Sequence, residues 1–318
     1  MIQNFALIDP LQIPSRTSQT PLLEVQNLEK HYGKIHAVNG LSLEVSKNQI
    51  YGFLGPNGSG KTTTIRMILG LVRPSSGSIQ LFGKSLEKQR SSVLARVGAL
   101  VETPSAYSHL SAWENLELTR RMLDSPKSRI PEVLEQVGLT DAAHRPVRGY
   151  SLGMKGRLGV ATALLNSPEL LILDEPTNGL DPAGIREMRD FVRSLPALGV
   201  TVLVSSHLLS EIEHMATTVG IISKGQMRFQ GPLEVLRARF QPYLKIKVSD
   251  PERARELLEP NFPILRLEGN LLEVSAPEES TTHINRQLEG AGIGVSHLEL
   301  TRPSLEDIFL ELTGENTP

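Results

Sequence analysis

The segment that most restricts the fold of this chain fits the pattern G-x-x-x-x-G-K-[S/T] and reads Gly55-Pro56-Asn57-Gly58-Ser59-Gly60-Lys61-Thr62. Glycines in such a loop allow positive φ angles, and backbone N–H groups can then turn toward phosphate oxygens. The apolar run Ile50–Leu54 precedes the loop, and Ile65 and Ile68 follow it at helical spacing. The positive end of that helix favours an anion. The segment predicts a strand, a phosphate loop and a helix, with Lys61 at the β- and γ-phosphates and Thr62 as a Mg²⁺ ligand.

Two later apolar runs predict further buried strands. Residues 170–173 and 200–204 are each bounded by polar residues or glycine, and the stretch 187–195 between them has helical spacing. Strands that alternate with helices indicate an α/β layered core. Helical spacing dominates from about 105 to 168, which predicts an inserted helical subdomain there.

Polar residues follow both apolar runs. Asp174 and Glu175 come directly after 170–173, and His207 follows 200–204. Ligands of α/β sheets bind at the carboxyl ends of the strands, so these side chains are expected near the phosphate loop. Asp174 suits a Mg²⁺ ligand, and Glu175 is placed to polarise an attacking water as a general base. An acidic pair or a lone His after a strand is also common in solvated loops, so the assignment depends on the motifs together.

The last part of the chain differs in charge and in pattern. Residues 241–318 contain seven Lys and Arg against 14 Asp and Glu, whereas residues 1–240 contain 26 against 21. This change predicts a domain boundary near residue 240. The alternation of apolar residues and turn signals gives the order βαββαβ, which predicts a small α+β ferredoxin-like domain at 241–318. A final helix is expected from Leu305, with Ser304 as its N-cap and Asp307 in the capping box.

Composition excludes several classes of protein. The 318 residues carry a net charge of −2, which argues against a dedicated nucleic-acid binder. No stretch approaches the roughly 18 consecutive apolar residues of a membrane-spanning helix. The chain has no Cys, which excludes disulfides and thiolate metal sites. Residues 1–21 lack a basic start, so a flexible leader is expected there rather than a secretory signal.

A further segment, Tyr150-Ser151-Leu152-Gly153-Met154-Lys155, precedes a predicted helix. It looks like the signature L-S-G-G-Q of ATP-binding cassettes, and it keeps Ser151 and Gly153 although it departs at three of five positions. Together with the phosphate loop, Asp174-Glu175 and His207, it makes residues from about 22 to 235 resemble the nucleotide-binding domain of ABC transporters. The resemblance implies an α/β P-loop NTPase fold at 22–240, an ABC cassette with an antiparallel β subdomain and inserted helices.

The resemblance also implies roles for single residues. Tyr32 matches the aromatic residue that stacks on adenine, and Asp181 matches the D-loop aspartate. Ser151 and Gly153 match residues that touch the γ-phosphate bound to the opposite subunit. Further nucleotide contacts are expected from the phosphate loop and the residue after it, namely Gly55, Pro56, Asn57, Gly58, Ser59, Gly60, Lys61, Thr62 and Thr63.

The expected chemistry is hydrolysis of Mg-ATP. The predicted catalytic residues are Glu175, His207 and Lys61, where His207 matches the switch histidine near the γ-phosphate. The predicted metal ligands are Thr62, Asp174 and Glu102. Glu102 stands where most of the family has the Q-loop glutamine, and a carboxylate there could still hold Mg²⁺ or its water.

The whole pattern, including the ending Pro303-Ser304-Leu305-Glu306-Asp307-Ile308-Phe309-Leu310, looks like the bacitracin- and daunorubicin-resistance branch of ABC exporters. That branch implies a cytoplasmic ATPase subunit that works as a pair, as a homodimer here. It also implies a separate integral-membrane permease, which holds the pair at the inner face of the membrane, and efflux of an antibiotic or a similar compound.

Other nucleotide-binding classes fit less well. A switch GTPase needs a guanine-reading N-K-x-D, which is absent, and a chromosome-maintenance ATPase needs a long coiled coil between its motifs, for which the 113 residues from Lys61 to Asp174 leave no room. Translation-type ABC factors carry two cassettes in one chain. A regulatory or non-transport ABC ATPase remains the alternative, although a purely regulatory module would be expected to lose Glu175 or His207.

Overall fold

The computed structural model describes residues 20–101, 106–238, 242–302 and 304–314. Its contacts divide the chain into two units between Leu233 and Glu234, and each unit is described by itself. The predicted leader at 1–21 lies outside the described residues except for its last two, and Glu102 also lies outside them.

The larger unit alternates strands with helices. Its strands are β1 (Leu23–Tyr32), β2 (Ile35–Val45), β3 (Ile50–Leu54), β4 (Ser76–Leu81), β5 (Lys84–Ser85), β6 (Val97–Leu100), β7 (Leu170–Asp174), β8 (Thr201–Ser206), β9 (Thr218–Ser223) and β10 (Gln226–Pro232). Its helices are α1 (Lys61–Ile68), α2 (Arg90–Leu94), α3 (Ala112–Leu123), α4 (Arg129–Gln136), α5 (Leu152–Leu164), α6 (Pro182–Ser194) and α7 (Leu209–Glu213), and α8 (Leu233–Ala238) crosses the division.

In the part of the chain that the structure describes, six strands form a central sheet in the order β10-β9-β3-β8-β7-β6. The pairs from β9 to β6 are parallel, and β10 is antiparallel to β9. Every residue of β3, β7 and β8 is buried, which is typical of strands covered on both faces. The strands predicted at 50–54, 170–173 and 200–204 are confirmed, the last two with ends shifted by one or two residues. Because β3, β8 and β7 are parallel neighbours, the loops after Leu54, Ser206 and Asp174 leave the sheet at one edge.

A second, antiparallel sheet has the order β2-β1-β4-β5 within the described residues. Leu23 and Leu41 of this sheet share one apolar core with Phe53 and Ile172 of the central sheet and with Ile65 of α1. Helix α1 therefore packs between the two sheets, which fixes the phosphate loop at its start. This is the expected antiparallel β subdomain.

Helices α3, α4 and α5 lie between β6 and β7, where the inserted helices are predicted. A capping box of Ser111 and Glu114 starts α3. Leu116, Leu134 and Leu158 are buried, one on each helix, so the apolar spacing in this region does form a helical core.

The smaller unit consists of β11 (Tyr243–Val248), α9 (Pro251–Leu258), β12 (Ile264–Glu268), β13 (Leu271–Ser275), α10 (Thr281–Gly290), β14 (Val295–Thr301) and α11 (Leu305–Thr313). Over the described residues its sheet has the order β12-β13-β11-β14 with antiparallel neighbours, which is the predicted ferredoxin-like arrangement. Leu244, Ile246 and Val248 point into a core with Leu258 and Leu288. The predicted capping box before α11 is also present. Across the described ranges, no helix is long and apolar enough to span a bilayer.

Candidate functional site

The phosphate loop depends on glycine at two turns. Gly58 and Gly60 have φ angles of 77° and 108°, a region that residues with a side chain rarely adopt. A Cβ atom at Gly60 would lie 2.5 Å from the backbone oxygen of Ala37. Gly60 also precedes α1, so the first backbone N–H groups of that helix are available at the loop.

A cavity of about 390 Å³ lies against this loop. Its lining contains nine of the predicted site residues, Asn57, Gly58, Ser59, Gly60, Lys61, Thr62, Thr63, Glu175 and His207. The other two lining residues are Ala37 and Asn178, which the sequence motifs did not identify as contacts. Three loops from separate strands thus converge on one polar cavity, as the α/β sheet predicts.

Lys61 carries the positive charge of the cavity wall. Its side chain is 6% exposed, and Nζ donates to the backbone oxygens of Gly55 at 2.6 Å and Pro56 at 3.3 Å. The same Nζ lies 3.5 Å from Oε1 of Glu175. These three contacts hold the ammonium group at the phosphate loop.

Glu175 connects Lys61 with His207. Its other carboxylate oxygen, Oε2, accepts a hydrogen bond from Nδ1 of His207 at 2.7 Å, and the Glu175 side chain is 20% exposed. A carboxylate that is fixed between two cationic or hydrogen-bonding partners and still reaches a cavity can orient a water and accept its proton. This geometry suits Glu175 as the general base. The catalytic roles of Glu175, Lys61 and His207 remain predictions.

Asp174 fits a role as a metal ligand. The residue is 6% exposed, and its carboxylate accepts a hydrogen bond from Oγ of Ser205 at 2.5 Å. Within the described ranges no cationic side chain forms an ion pair with it, although a buried carboxylate is normally paired with a cationic group or bound to a metal ion. Thr62 and Asp174 offer oxygen donors, and Mg²⁺ takes few protein ligands and completes its shell with phosphates and water. The donor chemistry of both residues fits Mg²⁺; Thr62 lines the cavity, and Asp174 does not. The third predicted ligand, Glu102, lies outside the described residues.

Seven other predicted site residues that the structure describes do not line the cavity. Three of them, Gly55, Pro56 and Asp174, lie within two residues of lining residues along the chain, and the other four are Tyr32, Ser151, Gly153 and Asp181. Tyr32 is 49% exposed at the end of β1. Ser151 caps α5 by accepting from the Met154 N–H, and Asp181 caps α6 by accepting from the Gly184 N–H. Gly153 lies near Leu180, which would be 3.8 Å from a Cβ atom at this position. The signature residues are predicted to act on the nucleotide of another subunit, so their distance from this cavity agrees with that prediction without testing it.

Two supports of the site were missed by sequence reasoning. The Gly225 N–H donates to the Ser59 carbonyl, and the Gly225 carbonyl accepts from the Asn39 N–H, both at 2.9 Å. The buried carboxylate of Glu211 accepts from Thr177 Oγ1 at 2.5 Å and from Ser206 Oγ at 3.2 Å. The first contact braces the phosphate loop and the second ties the loop after β7 to the end of β8. Neither has a motif, because each depends on pairing between distant segments.

Comparison with known proteins agrees with this site. A family described as "ABC transporter" matches residues 38–178, and a family described as "ATP-binding protein DrrA1-3-like, C-terminal domain" matches residues 231–313. The chain is 43% identical to the bacitracin transport ATP-binding protein BcrA of Bacillus licheniformis, over 93% of this chain and 98% of the relative. It is 34% identical to the daunorubicin resistance ATP-binding protein DrrA3 of Streptomyces coeruleorubidus, over 92% of this chain and 96% of the relative.

Solved structures extend the comparison to the fold. The ATP-binding subunit of an ABC transporter superposes with a TM-score of 0.62 at 29% identity, over 69% of this chain and 92% of that one. A cassette solved as a dimer in a post-hydrolysis state with ADP and Pi superposes with a TM-score of 0.60 at 22% identity, over 66% of this chain and 98% of that one. The resemblance to the bacitracin- and daunorubicin-resistance branch is confirmed. By its fold, by the residues around its cavity and by these relatives, the chain belongs to the family of ABC transporter ATP-binding subunits, and it is an ATPase.

Proposed function

We propose that this chain hydrolyses Mg-ATP in the phosphate-loop cavity and so powers a separate membrane permease that exports an antibiotic or similar compound. The observation that carries the ATPase proposal is the chain of contacts from Lys61 through Glu175 to His207 at the cavity wall. Export is supported by relatives whose names state bacitracin transport and daunorubicin resistance. These relatives favour the exporter over a regulatory or non-transport ABC ATPase.

Each of these residues has a separate role in the proposed reaction. Lys61 and the backbone N–H groups of the phosphate loop bind the β- and γ-phosphates and disperse their charge. Glu175 orients a water toward the γ-phosphate and accepts its proton, and His207 holds the carboxylate in place. When it is bound by Thr62 and Asp174, Mg²⁺ supplies charge neutralisation at the phosphates.

Two experiments test the two halves of this proposal. Loss of ATP hydrolysis in Glu175→Gln supports Glu175 as the general base, and hydrolysis at the wild-type rate in that variant refutes this assignment. Co-purification with a membrane protein encoded by a neighbouring reading frame would support the permease and attachment at the inner face of the membrane. If the chain bound no membrane protein and the cell still exported the compound or kept its resistance, the transport role would be refuted.

The active form is proposed to be a head-to-tail homodimer. Ser151 and Gly153 do not line the cavity of their own chain, so a second subunit would supply them to it. ATP would then lie between the phosphate loop of one subunit and the signature segment of the other. Hydrolysis would remove the γ-phosphate contacts that hold the pair together.

We expect the Glu175→Gln variant to dimerise at saturating ATP, because bound ATP persists when turnover stops. Light scattering should give a monomer mass without nucleotide and about twice that mass with ATP. The matched control is the same variant with ADP, which lacks the γ-phosphate and should stay monomeric. A monomer at saturating ATP would refute the homodimer of the isolated subunit.

The segment 241–318 is proposed to be a separate accessory domain, either regulatory or a passive appendage, because the described part of it has its own core and none of the nucleotide motifs. We expect a chain that ends near residue 239, after α8, to keep ATP binding and basal hydrolysis. ATPase assays and circular dichroism of the purified truncated chain test this boundary. A folded truncated cassette that binds no ATP would show that the segment belongs to the catalytic unit.

A further inference from the structure

We propose that Ser205 is a positioning residue for ATP hydrolysis, which holds Asp174 and Glu175 in the geometry that the reaction needs. The inference rests on the proposed function, because it concerns how the predicted metal ligand and general base are placed. Ser205 lies near the end of β8, is fully buried, and pairs with Asp174 across the parallel register between β7 and β8.

One hydroxyl group contacts both acidic residues. Ser205 Oγ donates to Asp174 Oδ1 at 2.5 Å, and it accepts a hydrogen bond from the Glu175 N–H at 3.0 Å. A serine hydroxyl has one proton and two lone pairs, so it can make both bonds at once. The bond to the carboxylate is charge-assisted and therefore of the stronger kind. A single buried side chain thus sets the position of Asp174 relative to the backbone of Glu175.

The backbone of Glu175 requires such a support. Its φ angle is 52°, in the left-handed region that is unfavourable for residues other than glycine. The backbone oxygen of Ser205 lies 3.3 Å from the Glu175 nitrogen, farther than the hydroxyl oxygen. The hydroxyl is therefore the nearer of the two acceptors of the Glu175 N–H, and the Glu175 carbonyl accepts from the Asn178 N–H at 3.1 Å. The conformation in turn directs the Glu175 side chain to Lys61 and His207.

Loss of the hydroxyl should affect the chemical step more than nucleotide binding. The phosphate loop and Lys61 make no hydrogen bond to Ser205 in the described residues, so affinity for nucleotide without metal should be retained. Asp174 would lose its hydroxyl donor, and the Glu175 N–H would lose the nearer of its two acceptors. The expected result is a lower kcat and a need for more Mg²⁺.

The test compares Ser205→Ala with Thr201→Val on the same strand. Thr201 is also fully buried, and its hydroxyl accepts from the Asn48 N–H at 2.9 Å, at the end of β8 away from the cavity. Each variant removes one buried hydroxyl, so Thr201→Val shows how much activity is lost when a hydroxyl on this strand is removed away from the cavity. We expect kcat of Ser205→Ala to fall about tenfold or more, since a hydrogen bond to a charged group is lost. Thr201→Val should keep the wild-type kcat.

A binding measurement distinguishes misplacement of Asp174 and Glu175 from a general loss of structure. A fluorescent ATP analogue in EDTA should bind Ser205→Ala within about twofold of wild type, and titration with Mg²⁺ should reach its midpoint at a higher concentration. If Ser205→Ala does not fold, Ser205→Cys keeps nearly the same shape with a weaker donor and should show the same pattern to a smaller extent. A wild-type kcat in the folded Ser205 variant, or an equal loss in Thr201→Val, overturns the proposal. If Glu175→Gln were also active, the assignment of Glu175 as the general base in the proposed function would fail, so the two failures can be told apart.

Discussion

Replacing Glu175 by glutamine is expected to reduce ATP turnover by about a hundredfold or more, the usual contribution of a general base. Glutamine keeps the size of the side chain but cannot accept the proton of the attacking water. ATP binding should be retained or strengthened, because the change removes a negative charge that lies 3.5 Å from Lys61 Nζ. Steady-state phosphate release and titration with a fluorescent ATP analogue measure the two effects separately.

The matched control is Glu169→Gln, which makes the same chemical change just before β7 begins. Glu169 pairs with Arg96 at 2.6 Å on the surface, and this hydrogen bond keeps the pKa of the Glu169 carboxyl below its usual range. Such an exposed pair contributes only about 0–1 kcal/mol, so turnover should stay at the wild-type level. Wild-type turnover in Glu175→Gln would exclude Glu175 as the base.

The centre of the fold could be predicted because its signals are local. The strands β3, β7 and β8 are short apolar runs between polar segments, and burial on both faces requires that composition. In the smaller unit, Leu244, Ile246 and Val248 alternate with polar residues, which indicates a strand with one buried face. Their order along the chain was enough to predict the ferredoxin-like arrangement.

Other parts of the fold depend on pairing between distant segments. Strands β9 and β10 carry no motif, although β9 pairs with β3 and the Gly225 turn after it contacts the phosphate loop. Asn178 lines the cavity, although no sequence motif assigns it a role. The sequence placed Ser205 before His207, but only the register of β8 against β7 brings its hydroxyl to Asp174.

The positive φ angle of Glu175 could not be predicted from the sequence either. Glycine and asparagine adopt positive φ angles often enough to indicate such turns, whereas glutamate does not. The roles of Tyr32, Ser151, Gly153 and Asp181 stay predictions, because they depend on contacts with the nucleotide or with a second subunit. The order of the motifs is sufficient to locate the cavity. It is insufficient to identify all the residues that line, support or complete the site.

Replacing Lys61 by alanine is expected to weaken ATP binding by about ten- to a hundredfold, because hydrogen bonds to charged groups contribute about 1.5–3 kcal/mol. Two effects add up in this variant. The phosphates lose a buried ammonium group, and the carboxylate of Glu175 loses the cation at 3.5 Å that offsets its charge. Equilibrium titration with a fluorescent ATP analogue measures the affinity, and Lys84→Ala, an exposed lysine on β5, serves as the control with unchanged affinity.

The double variant Lys61→Ala, Glu175→Gln separates these two effects. If the uncompensated carboxylate repels the phosphates, glutamine at 175 should restore part of the affinity that Lys61→Ala loses. If Lys61 acts only by direct contact with the phosphates, the double variant should bind as weakly as Lys61→Ala. Circular dichroism must show that both variants are folded, because Lys61 also donates to the Gly55 carbonyl and so supports the loop. Unchanged affinity in folded Lys61→Ala would remove Lys61 from the nucleotide site, since the loss of a charged contact at bound phosphates cannot be silent.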